Sequence, residues 1–257
     1  MMPLALFASP TFSGVNLLTL LLYAALGGAF FFLPFLFIQV HGYSATLAGA
    51  AFLPFTCIMA MMSRWSGGLI DRFGARLPLI IGPAIAAVGF ALLALLSNAH
   101  AFGLMVLPLI VLGVGMAVTV APLTTTVINA VPERQTGVAS GINNAVASLA
   151  SLLAIAIFGA VVLGAHNAGL DRRLSVQAMS AETRQAVSEA RGKFVIAVSG
   201  LQGDDAEAAK VIIRQSLRKS IALVMWLAAA LALAAALCAA FTIRPARRKP
   251  SLKPAPA

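Results

Sequence analysis

The first 132 residues carry four charged side chains, Arg64, Asp71, Arg72 and Arg76, and all four fall within one stretch of 13 positions. An apolar run ends near Met62 on one side of it, and another extends from Leu77 to Leu96 on the other. The charges therefore occupy a tight turn between two hydrophobic arms. Two helices crossing a bilayer, joined by a charged turn at its surface, keep the arms in hydrocarbon and the charges in water.

Composition extends this reading to the whole chain. With 60% hydrophobic and 10% charged residues and a mean hydropathy of +0.95, too little polar surface exists to cover a soluble globule. A hydrocarbon core of roughly 30 Å needs about 20 apolar residues per helix. Six runs meet that need, at 15–40, 46–62, 77–96, 103–122, 138–163 and 221–243. They are continuously apolar and rich in Leu and Ala rather than alternating, which predicts helices and not the strands of a barrel. The predicted class is an all-α membrane protein with six transmembrane helices. No basic residue precedes the first run, which is longer than the apolar part of a signal peptide, so it is expected to remain as a span.

Lys and Arg in short connections set the orientation. An even number of spans puts both termini on one side, with Arg64, Arg72, Arg76, Arg134 and the tail residues Arg244, Arg247, Arg248, Lys249 and Lys253. The opposite turns at 41–45 and 97–102 have no basic residue. Both termini are thus expected in the cytoplasm of a cell (inner or plasma) membrane protein. The chain divides into a five-span core (1–164), a partly helical extracytoplasmic loop (165–219), the sixth span (220–243) and a basic cytoplasmic tail (244–257). The loop holds nine Lys and Arg against six carboxylates, Asp171, Glu182, Glu189, Asp204, Asp205 and Glu207. Asp205 opens a stretch that reads as a helix start, with acid at the positive end of the dipole, running on into the sixth span. The basic tail serves as a stop signal that also favours anionic lipid headgroups.

Several function classes fall away. The net charge of +10 comes without a basic face interleaved with aromatic readers, so no nucleic-acid partner is expected. Cys57 and Cys238 lie inside predicted spans and read as packing residues. His41, His100 and His166 sit at outer boundaries without metal-ligand spacing, so neither a metal nor a cofactor is expected. The one serine flanked by glycines, in Gly137-Val-Ala-Ser140-Gly141, has the wrong spacing for a nucleophile elbow, and the chain does not read as an enzyme.

Polar residues inside spans mark the remaining places where function could lie, since each needs a partner or a water-filled cavity. Asn16, Thr19 and Tyr23 share a helical face in the first span. Ser140, Asn144, Ser148 and Ser151 do so in the fifth. Either stripe can line a translocation path or glue helices together, and Gly137 with Gly141 points to a close helix contact. No Asp, Glu, Lys or Arg lies well inside any span, so a coupling proton would need a carboxylate outside these segments.

Gln39-Val-His-Gly42-Tyr43-Ser44, followed by Ala48-Gly49 and Pro54, resembles the outer hairpin that opens the C-terminal half of major facilitator superfamily (MFS) transporters of the fourteen-span drug:proton antiporter branch. The charged turn resembles the signature loop of that superfamily through Gly67, Asp71, Arg72, Gly74 and Arg76, departing from it at Ala75, where a basic residue is usual. Gly113-Val-Gly115, Val120-Ala-Pro122-Leu-Thr, Pro132-Glu133-Arg134 and Gly137-Val-Ala-Ser-Gly141-Ile-Asn143-Asn144 extend the resemblance from residue 17 to about 164. It implies a six-span C-terminal half built as a 3+3 inverted repeat. It also implies multidrug or small-molecule efflux by alternating access on hydrophobic or amphipathic compounds, with Gly67, Asp71, Arg72, Gly74 and Arg76 as a gating loop that latches against the opposite half. Asn16, Thr19, Tyr23, Ser140, Asn144 and Ser148 become the candidate pathway-lining set. Proton coupling would then require an N-terminal half or a second subunit beyond this chain, which reads as a truncated or split transporter. The alternative is a membrane interaction protein or decayed fragment that does not transport.

Overall fold

Serine and proline set where the first helix begins. In the computed structural model, which describes residues 4–66, 68–99, 101–176, 180–192 and 204–243, helix α1 spans Pro10–Phe35. Ser9 caps it by accepting the Phe12 N–H at 3.4 Å, and Pro10 takes the first turn, where no donor is lost. Pro34 near its other end lacks an N–H, and the helix loosens into a π turn over Leu36–Val40. Gly42, at φ +73°, reverses the chain, and Ser44 caps α2 (Ala45–Ala50) through the Leu47 N–H at 3.2 Å.

The continuous helix expected over 46–62 is interrupted. After α2 the chain turns at Ala51 and Phe52 and restarts as α3, Leu53–Ser66. Pro54 is the cause, because it has no N–H to donate to the carbonyl of Ala50 one turn back. A one-turn helix α4 (Leu69–Phe73) ends at Gly74, φ +72°, and leads into α5 (Arg76–Leu95). Then follow α6 (Phe102–Asn129), α7 (Thr136–Val176), α8 (Ala181–Glu189) and α9 (Asp204–Thr242). Gly67, His100 and the basic tail lie outside the described residues, as does the side chain of Asp71. The fold is all-helical among the described residues, and six segments are long and apolar enough to cross a membrane.

Packing partners reveal the internal order. Helix α1 packs on α7 and α9, α6 packs on α3 and α5, and α5 meets α9. Exchanging the first three spans (α1, α3, α5) for the last three (α6, α7, α9) turns the first pairings into the second and leaves the α5–α9 contact unchanged. A 3+3 repeat makes this pattern. The core between the spans is built from Phe12, Phe32, Phe37, Phe90, Leu109 and their neighbours, all buried.

Close approach depends on glycine where α5 crosses α6. A Cβ on Gly115 would stand 2.5 Å from Ala86 N and 2.7 Å from Gly82 O, and one on Gly82 would meet Thr119 Oγ1 at 2.1 Å. Gly113, two residues earlier, faces the α3 backbone instead, where a Cβ would stand 3.1 Å from Phe55 O. The Gly113-Val-Gly115 pattern thus serves two neighbours on two sides of α6.

Helices α7 and α9 outrun the bilayer. At 41 and 39 residues they are about 60 Å long, against a hydrocarbon core of roughly 30 Å. The fifth helix does not stop at 163, where its apolar run gives out, but continues to Val176. These extensions and α8 enclose a second, separate core of Leu170, Val187, Ala190, Ala209, Ile212 and Ile213. His166, expected at an interface, is fully buried where α7 leaves the apolar zone, and its carbonyl accepts the Ser216 hydroxyl at 2.8 Å. Cys57 is exposed on α3 rather than packed, whereas Cys238 is half-buried with its Sγ 3.5 Å from Gly14 O.

Candidate functional site

The charged turn is held by its own half. Gly74 donates to Ile70 O at 2.8 Å, closing α4, and its positive φ redirects the chain into α5. Arg76, on the first turn of α5, sends Nη2 to Ala240 O at 2.8 Å. That carbonyl belongs to the last turn of α9, where the partial negative charge of the helix favours a cation. Arg72 is exposed. Arg76 is therefore an anchor between α5 and α9, while Arg64 and Arg72 are left facing outward. Asp71 lies within α4, immediately before Arg72.

The two polar stripes separate. Asn16 and Thr19 are buried, with Asn16 Nδ2 donating to Phe12 O at 2.9 Å and Thr19 Oγ1 to Val15 O at 2.9 Å. Thr19 Oγ1 also lies 2.8 Å from the side-chain amide of Asn143 on α7. One hydroxyl proton cannot serve two acceptors, and both contacts are satisfied when the Asn143 amide presents its NH₂ group. Ser151 reaches across to Tyr23 O at 3.2 Å, beside Gly27, where a Cβ would come within 2.5 Å of Ser151 Cβ. Thr19 and the Tyr23 backbone thus belong to the α1–α7 joint, Asn16 is buried on α1 with its bond inside its own helix, and Tyr23 itself is half-buried.

Asn144 and Ser148 are exposed, and Ser140 is half-buried. Gly137 and Gly141, read as a close helix contact, have no atom within 4 Å of a Cβ position, so no neighbour in this chain fills that role among the described residues. This face of α7 continues into exposed Leu149 and Leu152. Two further exposed hydroxyls lie inside spans, Thr56 on α3 and Thr124 on α6, each bonded to the carbonyl four residues back.

Asn143 is the residue that the polar stripes missed. Its neighbour Asn144 carried the stripe, yet adjacent helical positions point about 100° apart. Two consecutive asparagines in an apolar helix cannot share one face, and that spacing was the available signal.

Burial is uneven among the spans. About half of the apolar window is buried in α5 and in α6 (50% each) and nearly as much in α1 and α9 (44% each), against 11% for the α2–α3 span and 22% for α7. Two helices thus show mostly uncovered faces, and α7 presents polar groups there.

The comparisons with known proteins agree with this architecture. Residues 3–155 match the family model of the Major Facilitator Superfamily. The chain is 30% identical over its full length to 49% of the tetracenomycin C resistance and export protein of Streptomyces glaucescens. It is 32% identical over 53% of its length to 25% of the multidrug resistance protein Stp of Mycobacterium tuberculosis. Among solved structures, an inward-facing, unoccupied bacterial homologue of the human lysosomal transporter Spinster superposes with a TM-score of 0.66 at 18% identity, covering 91% of this chain and 49% of that one. The chain spans at most about half the length of these relatives. With its six apolar helices, their repeat-like packing and a family match over more than half of its length, the chain is a multi-pass membrane protein that belongs to the Major Facilitator Superfamily.

Proposed function

We propose that the chain is the C-terminal half of a small-molecule efflux transporter that works by alternating access in the cell membrane, with a second half or subunit closing the pathway. The observation that carries this reading is the uneven burial. Helices α3 and α7 are sparsely covered, and α7 turns Asn144 and Ser148 to its open side. Polar groups inside a membrane helix are kept where they face a partner or a water-filled cavity. Relatives whose names carry multidrug resistance, or resistance and export, support an outward direction and a small-molecule substrate, which on this reading is hydrophobic or amphipathic.

Division of labour within the half follows. The α1–α7 joint, with Thr19 and Asn143, acts as a rigid wall, while Asn144, Ser148 and Ser140 line the path. Asp71, Arg72 and Gly74 form the moving part of the gate, anchored through Arg76. No acidic or basic residue sits among the apolar cores of the spans, so proton coupling belongs to the partner half. The short basic connections, with Arg64, Arg72, Arg76 and Arg134 on one side, put that side in the cytoplasm. On the same reading the α7–α8–α9 extension is extracytoplasmic. Reporter fusions after residue 131 and after residue 190 should report opposite sides, and the reverse assignment would overturn the orientation.

Labelling tests the pathway. In the functional assembly, Asn144→Cys should react with an aqueous thiol reagent, and an exported compound such as ethidium should protect it at least severalfold. The background is a Cys57→Ser, Cys238→Ser chain. Inertness of Cys at 144 in every condition, alongside labelling at an exposed cap position, would make that face a packing surface. Stable insertion without export by any assembly would favour a docking protein.

A further inference from the structure

Two cavities lie along α7 and α9, one at the membrane boundary and one toward the bilayer interior, and they differ in chemistry. At the boundary end a cavity of about 300 Å³ is lined by Arg172, Arg173, Lys219, Ser216 and Ser220. Among the described residues no carboxylate lines it. Arg173 is held by Gln215 Oε1 at 2.6 Å. The ion pairs among the described residues of the extension, Arg191 with Asp171 and Lys210 with Glu207, use none of the three cations. Toward the interior a second cavity of about 480 Å³ is almost wholly apolar, walled by Ala150, Ala154 and Phe158 of α7, by Leu227 and Ala230 of α9, and by Leu20 of α1.

The two cavities lie along the same face of α7 and of α9, one above the other. On α7 their residues follow a single helical stripe through positions 150, 154, 157, 165, 168 and 172, and on α9 through 216, 220, 227 and 230. Steps of 3.6 residues keep such a stripe on one face. Small residues on the α7 stripe, Ala150 and Ala154 at the inner cavity and Ala165, Ala168 and Gly169 at the boundary one, leave room at both ends. From Ala165 to Ile157, and from Ser220 to Leu227, the separation along the helix is about 10–12 Å. A leaflet is half of a hydrocarbon core of roughly 30 Å, so an acyl chain anchored at the basic end reaches the apolar end.

We propose that this pair of cavities binds one anionic phospholipid from the adjacent leaflet, its phosphate held by Arg172, Arg173 and Lys219 and one acyl chain lying in the apolar groove. Charge complementarity selects the headgroup, since three cations converge where, among the described residues, no acid balances them. The groove selects a lipid over a free anion. The site also stays open in a full transporter. At 100° per residue, Ala150 and Ile157 stand about 180–200° around α7 from Ser148, so a partner covering the Asn144–Ser148 face leaves the opposite side to the bilayer. The site stands whether or not the chain takes part in efflux.

Native mass spectrometry of the purified full chain, with phosphatidylglycerol and phosphatidylcholine of equal chain length, tests the proposal. Phosphatidylglycerol should be retained in preference. Replacing Arg172 and Lys219, both exposed, by Gln should weaken it about thirtyfold, at about fivefold per basic residue near an anionic surface. Ala230→Phe, which fills the groove from an exposed position, should weaken it at least about fourfold, the worth of one buried methylene. Circular dichroism and melting of each variant separate loss of the site from loss of the fold. A variant that unfolds is replaced by Lys219→Gln alone or Ala230→Leu. Equal retention of the two lipids would overturn the proposal. So would full displacement by glycerol phosphate together with indifference to the groove variant, which would mark a simple anion site.

Discussion

Gly115→Ala is expected to cost about 1–3 kcal/mol of stability, the usual range for forcing atoms into a filled interior. The added methyl would stand 2.5 Å from Ala86 N and 2.7 Å from Gly82 O. Both are backbone atoms of α5, so no side chain can rotate away, and α5 and α6 must separate. Their separation would also strain the contact of Gly89 with Leu112 further along the same crossing. Gly141→Ala is the matched control, because nothing lies within 4 Å of the new methyl. It should be neutral or stabilising in the isolated chain, since Ala exceeds Gly in helix propensity by about 1 kcal/mol. Unfolding of both variants in a denaturing detergent series measures the difference. Equal stability would mean that the α5–α6 crossing is loose enough to absorb a methyl.

Asp71→Asn should lower export by the functional assembly roughly tenfold or more while insertion and yield stay unchanged. Hydrogen bonds to charged groups are worth about 1.5–3 kcal/mol, and a gate that loses such a contact populates its closed state less by the corresponding factor. The expected separation from a structural defect is sharp. Arg76→Ala removes the bond to Ala240 O and loosens α5 from α9, so it should reduce stability as well as export. Asp71→Asn should reduce export alone. Uptake and efflux of ethidium by cells, paired with melting of the purified protein, distinguish the two, and wild-type export by Asp71→Asn would remove the gating role.

The six spans were legible in the sequence because membrane insertion answers to run length and to charge placement, which are both local. The turn at Gly74 was legible for a similar reason, as glycine beside charges marks a reversal. The boundaries were less so. Hydropathy ended the fifth span at Leu163, yet α7 continues to Val176 because a helix started inside the membrane persists where an apolar face, here Leu170 and Leu174, finds a cover in α8 and α9. The 46–62 run was apolar throughout, and only the covalent constraint of Pro54 divides it.

Side-chain roles divided differently. Asn16 and Asn144 looked equivalent as polar residues on apolar helices, and one is buried while the other is open. The partner of Thr19 is 124 positions away, and the three cations of the boundary cavity come from stretches more than 40 residues apart. Hydropathy and turn chemistry determined, from the sequence alone, that the chain is helical, membrane-spanning and six times crossed, since each depends on neighbouring residues and their solvent. Which faces touch, which polar groups are spent as glue and where cations converge were decided only by the tertiary structure, because those depend on which helices meet, and a helix carries no record of its neighbours in its own period.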